Sequence, residues 1–202
     1  MPQTLSPLTE KPSLEPTPHR KRWTRQDCEF LVRSELLVGR YELIEGDIIS
    51  KMGQKPPHSV VIMLLNDWLV GLFGGKFVRI QLSMDIATED NKINEPEPDA
   101  AVVSQPATAF TENQPGPADM LLVVEVSDTT LRFDLRTKAA LYARAGIVEY
   151  WVVDIVGRRI VVHRDPTSSG YRDIQAYTEE EALAPLARPE NPIKVATLLP
   201  PA

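Results

Sequence analysis

The stretch MLLVVEVSDTTLRFDLRTKAALYARAGIVEYW, from Met120 to Trp151, decides how this chain folds. It opens on a run of aliphatic and β-branched residues, Met120 to Val126, that reads as a β-strand covered on both faces. Glu125 interrupts that run. A carboxylate taken out of water without compensation is very costly, so Glu125 requires a bound cation, an Arg or Lys, or a raised pKa. From about Thr130 to Ala145 the pattern turns helical, with Leu135, Ala139 and Tyr142 on one face. Gly146 stands where a left-handed helix cap belongs.

Working outward, EYWVVDI and RRIVVHR predict a hairpin turning at Val156-Gly157, and GYRDIQAYT adds an edge strand. The tail after Pro185, Pro189 and Pro192 predicts one short apolar closing element. Upstream, the polar stretch EDNKINEPEP reads as a loop leading into PDAAVVS, which sets Asp99 at the mouth of a strand from Ala100 to Val103. Phe77 to Leu82 and Met84 to Ala87 predict two strand segments. Before them, HSVVIMLLNDWLVGLF follows the Pro56-Pro57 break and is apolar on most faces, as in a helix packed against a sheet, with Gly74-Gly75 ending it. YELIEGDIISK predicts a hairpin from Tyr41 to Lys51 with Glu45 at its turn. Thr24 and Asp27 form a capping signature for a first helix reaching about Ser34.

A chain of 202 residues can bury one sizeable core. Residues 1 to about 22 are rich in Pro, Ser and Thr without hydrophobic periodicity and read as a disordered or extended arm, leaving 23–202 as a single domain. The arm ends in a basic run, HRKRW, that reads as a solvated linker or a phosphate contact. The lone cysteine, Cys28, forms no internal disulfide, and no thiol cluster offers a zinc site, which suits a reducing cytoplasm. No apolar leader opens the chain, and the stretch Val60 to Phe73 is too short for a bilayer and carries Asn66 and Asp67, so no membrane is expected. The net charge of −6 argues against strong non-specific nucleic-acid binding unless a basic patch or bound cations offset it.

If the strands bearing Asp99 and Glu125 are neighbours, their carboxylates converge, and two close acids need a cation between them. Hard oxygen donors of this kind suit Mg²⁺ or Mn²⁺, which polarise a phosphodiester and lower the pKa of an attacking water. Glu45 is a candidate third metal ligand, or else a solvated turn carboxylate. Lys138 follows Asp134 by four residues and precedes Tyr142 by four, so all three share a helix face. It either orients water and neutralises charge on phosphate, or forms a surface pair with Asp134 worth only about 0.3–0.5 kcal/mol. His58 is a candidate general base or ligand, or a partly exposed residue near the helix start. Ser127 and Cys28 have no histidine at a spacing that marks a base, and no G-x-S-x-G, Walker loop or G-x-G-x-x-G occurs, so acyl transfer and nucleotide cofactors lack support.

The order YELIEG, a proline break and PHSVVIMLL, EPDAAVV, LLVVEVSDTT, FDLRTKAALYARAGIVEYWVVD and a closing hairpin resembles the Uma-two family, within the PD-(D/E)xK nuclease superfamily. The likeness covers about 41–164. It implies an α/β fold, a mixed sheet flanked by helices with a restriction-endonuclease-like core. It also implies that Asp99 is the motif aspartate, Glu125 the second metal-binding acid and Glu45 the acid of the opening hairpin. The superfamily lysine that follows the acid by two positions is Ser127 here. The family's D-x-x-x-K-x-x-x-Y pattern, matched by Asp134, Lys138 and Tyr142, implies that the cation moves to the helix, and His58 also falls on a motif position. The activity so implied is a metal-dependent endonuclease acting on DNA through Mg²⁺ or Mn²⁺, with two copies pairing as a homodimer. A non-catalytic interaction or oligomerisation protein that keeps the nuclease fold is the alternative, motivated by the acidic balance and the missing E-x-K lysine.

Overall fold

The computed structural model describes residues 20–51, 53 and 55–201. The expected N-terminal arm therefore lies largely outside the described residues. Its end is pinned, with the Trp23 N–H donating to the Gly46 carbonyl at 2.8 Å. Helix α1 (Arg25–Arg33) starts at a complete capping box, Thr24 and Asp27 bonding reciprocally, as the sequence predicts.

Strands β1 (Tyr41–Ile44) and β2 (Asp47–Ser50) form the opening hairpin. Glu45 and Gly46 between them take φ of +53° and +77°, the pattern of a two-residue turn whose twist matches the strands. Gly46 is required twice over, since a Cβ there would lie 2.7 Å from the Arg22 Cβ.

The main sheet runs β3 (Val78–Ile80), β4 (Ala100–Val103), β5 (Met120–Ser127), β6 (Glu149–Asp154), β7 (Arg159–Thr167) and β8 (Gly170–Thr178), in that spatial order. Only β5 and β6 are parallel; the other neighbours are antiparallel. A parallel pair requires a crossover, which the helical segment 131–144 supplies. Met84 to Ala87, expected as strand, is not: Met84 and Asp85 donate their N–H groups to the carbonyls of Pro96 and Pro115 in neighbouring loops. Met84 and Ile86 are nonetheless buried in the core, which accounts for their apolar alternation.

Helix α2 (Pro56–Phe73) covers one face of the sheet, packing Val61, Leu65 and Leu69 on Leu122, Val124, Val126 and Trp151. Trp68 stacks on Trp151 with centroids 5.9 Å apart. Each fully buried leucine in this layer contributes about 1.5–3 kcal/mol. The opposite face carries Leu141, Tyr142 and Ile147 against Val123, Tyr150 and Val152. Because strand side chains alternate, Glu125 projects with Val123 toward this second layer.

The expected continuous helix over 130–145 is interrupted. Short helices α3 (Leu131–Phe133) and α4 (Ala139–Arg144) flank a π-helical turn, Asp134–Lys138. Such a turn inserts an extra residue and changes side-chain directions on either side of it. The Asp134 carbonyl accepts a hydrogen bond from the Tyr150 hydroxyl at 3.1 Å. Among the described residues, no helix is long and apolar enough to cross a membrane.

Candidate active site

Register brings the two acids together. Ala100 pairs with Val124 in the antiparallel β4–β5 ladder, and one step further along puts Asp99 opposite Glu125. The Val126 N–H donates to Asp99 Oδ2 at 2.9 Å, closing the ladder through a side chain. Both acids line one cleft of about 670 Å³, together with Glu42, His58, Gln81 and Lys138.

Lys138 is the centre of this cleft's charge. Its Nζ lies 2.8 Å from Glu125 Oε1 and 2.9 Å from Glu42 Oε2, and the side chain is only 3% exposed. The Tyr142 hydroxyl donates to the same Glu125 oxygen at 2.9 Å. The surface pair between Asp134 and Lys138 is not what forms. Asp134 instead accepts from the hydroxyls of Ser127 and Thr130, each at 2.6 Å, which anchors the π turn. Ser127, two residues past Glu125, thus helps hold the helical segment that carries Lys138.

His58 sits in the first turn of α2 with Nε2 3.3 Å from Asp99 Oδ2. Its Nδ1 is buried without a partner among the described residues. Glu45 does not join the cleft. It pairs with the guanidinium of Arg144, which also donates to Asp90 at 2.6 Å. The hairpin acid that reaches Lys138 is Glu42, three residues earlier. Glu45 belongs to the turn beyond β1, at φ +53°, and the structure seats it on Arg144 away from the cleft, whereas Glu42 on the strand points into it. Glu42 left no sequence signal, since its alternation with Tyr41 and Leu43 reads as the solvated face of a hairpin.

Burial alone pushes the Asp99 carboxyl up. The hydrogen bond and charge of His58, helped by Lys51 and the Val126 amide, outweigh burial and hold it at about 2. Glu125 goes the other way: burial raises it, Lys138 draws it down, and Asp99, Glu42 and Asp134 push it up again, to about 8. Lys138 is pulled down by burial but raised well above its ordinary value by Glu125, Glu42 and Asp134, so the ammonium stays charged. At neutral pH a carboxyl raised this far is mostly protonated, so Glu125 becomes a carboxylate only at higher pH or when a cation draws off its proton.

A hard divalent cation competes for such a carboxyl by displacing its proton. Among the described residues no group of three or more His, Cys, Asp and Glu side chains converges as a closed metal cage. Two carboxylates, Asp99 and Glu125, facing an open cleft match the way Mg²⁺ binds, through one or two acids while keeping several waters. The donor chemistry fits such an ion.

A six-stranded mixed sheet between helical layers, with Glu125 on β5 and Asp99 just before β4, is a restriction-endonuclease-like fold. The chain belongs to the Uma2 family, described as "Putative restriction endonuclease", whose profile matches residues 31–194. A solved structure described as "a putative nuclease belonging to DUF820", from Anabaena variabilis, superimposes with a TM-score of 0.61 at 17% identity. The match covers 83% of this chain and 96% of that one, and at this identity it speaks to the fold. No curated protein matches the chain.

Proposed function

We propose that this protein is a metal-dependent endonuclease that hydrolyses DNA phosphodiester bonds. The observation that carries the reading is the buried ammonium of Lys138 between Glu42 and Glu125, in the same cleft as Asp99. A structural ion pair needs one carboxylate; here two acids approach one ammonium and a third, Asp99, lines the same cleft, which leaves carboxyl oxygens for a cation.

Asp99 and Glu125 would hold Mg²⁺ or Mn²⁺, which when bound supplies Lewis-acid polarisation of the phosphate and a more acidic water. Lys138, charged and desolvated at the cleft floor, stabilises negative charge developing on the phosphate. Glu42 holds Lys138 in place from the hairpin side. His58 orients Asp99 through Oδ2, while Oδ1 takes one hydrogen bond from Gln81 and keeps a lone pair for the ion. Glu45 has no part in this arrangement.

The test is cleavage of supercoiled plasmid with Mg²⁺ or Mn²⁺ by the purified protein and by Asp99→Ala. Cleavage by the parent and none by the variant is expected, and equal cleavage by both ends the assignment.

One observation favours a second reading, a nuclease fold kept as a non-catalytic module. Glu125 Oε1 is already shared by Lys138 and Tyr142, as in a closed structural network. Calorimetric titration with Mn²⁺ separates the two, because binding abolished by Glu125→Gln contradicts a closed site.

A further inference from the structure

Gln81 follows β3 and is held at φ +51°, in the left-handed region that residues other than Gly, Asn and Asp seldom adopt. Its backbone N–H donates to the Asp99 carbonyl at 3.2 Å, and its side-chain Nε2 donates to Asp99 Oδ1 at 3.2 Å. The amide oxygen accepts from Arg40 Nη1 at 3.1 Å. The amide has one consistent orientation here, since a carboxylate only accepts and a guanidinium only donates. Glutamine joins the two because it carries a donor and an acceptor on one flat group with enough reach.

Asp99 is thereby gripped on both oxygens, Oδ1 by Gln81 and Oδ2 by His58 and the Val126 amide. A strained backbone persists only where its surroundings demand it, and here the demand comes from an acid of the cleft. Arg40 is the outer end of the chain. Its side chain is 50% exposed, lines the cleft and is also held by the Glu97 carboxylate. These two bonds use two of its five donors, and the planar fork matches a phosphate diester.

We propose that Gln81 is a positioning residue that fixes the Asp99 carboxylate, and that Arg40, tied to it, takes a backbone phosphate of the DNA strand lying in the cleft. This rests on the nuclease reading and extends it to how the substrate is seated.

The test uses the full chain and the variants Gln81→Met, Gln81→Gly and Arg40→Gln. Mn²⁺ affinity is read by calorimetry, binding of fluorescein-labelled DNA by anisotropy in EDTA across a salt series, Tm by scanning calorimetry, and kcat and KM by cleavage in Mg²⁺. Both Gln81 variants are expected to lose about 10–100-fold in Mn²⁺ affinity and kcat. Gln81→Gly should keep or raise Tm, because glycine accepts the positive φ without strain. Arg40→Gln should raise KM more than it lowers kcat and reduce the salt slope of DNA binding by about 1.

Gln81 variants that bind Mn²⁺ and cleave like the parent overturn the proposal, as does activity lost only in proportion to Tm. If the parent cleaves and Asp99→Asn does not while Gln81→Gly is unimpaired, the positioning role falls and the nuclease reading stands. A parent that neither cleaves nor binds Mn²⁺ removes both.

Discussion

The carboxylates of Glu42 and Glu125 share one ammonium, with Lys138 Nζ 2.9 Å from the first and 2.8 Å from the second. One acid comes from the opening hairpin and the other from the centre of the main sheet, so the lysine ties two separate sheets together.

Replacing Lys138 with Met leaves two buried carboxylates without their cation, a change that costs about 3–5 kcal/mol. Urea denaturation should register that loss, and the deficit should grow as pH rises, because the uncompensated acids are neutral only at low pH. Adding Glu42→Gln to Lys138→Met should return part of the stability while leaving cleavage abolished.

Glu42 and Glu45 make a matched pair of tests. Glu42→Gln should lower kcat by about tenfold or more, as losses of groups supporting a catalytic residue commonly do. Glu45→Gln breaks only a half-exposed pair with Arg144, so it should cost no more than about 1 kcal/mol and leave plasmid cleavage and Mn²⁺ affinity unchanged. A loss of activity in Glu45→Gln equal to that in Glu42→Gln would contradict the placement of the two acids.

Asp99 is held at about 2 against an ordinary 3.8, a depressed carboxyl. The stability it contributes is complete above its unfolded value and is lost as pH falls through the folded one. The shift corresponds to roughly 2 kcal/mol. Asp99→Asn should therefore flatten the acid limb of the stability curve between about pH 4 and 2, in addition to abolishing cleavage.

His163 packs against the rings of Tyr150 and Tyr171, at 5.3 and 5.5 Å between centroids, and burial depresses its pKa below 6.5. The unfolded chain then binds a proton at a pH where the folded chain does not. Stability should fall as pH drops below about 6.5, toward the lower folded value. Comparing thermal unfolding of the parent and His163→Gln across that range isolates the slope, which the variant should lack.

Much of the candidate site is legible in the sequence. Glu125 declared itself as a charge inside an apolar strand, Asp99 as an acid opening the next such strand, and Lys138 as a cation on the helix that follows. Gln81 and Arg40 were silent, because a polar residue beside a strand looks alike whether it faces solvent or a buried acid. Met84 and Ile86 show the converse case. Their apolar alternation reports burial, yet their backbone bonds run to loops and not to a neighbouring strand.

Hydrophobic periodicity, proline breaks and capping residues are local properties, and they determined the helices, the hairpins and the presence of a buried carboxylate in need of a partner. Which acid joins Lys138 was decided only in three dimensions. The π turn at Asp134–Lys138 and the Glu45-Gly46 turn of the hairpin set the directions of side chains that are far apart in sequence. Rotation about a strand or helix reverses which face a residue presents within one or two positions, and no local pattern records where the opposing element stands.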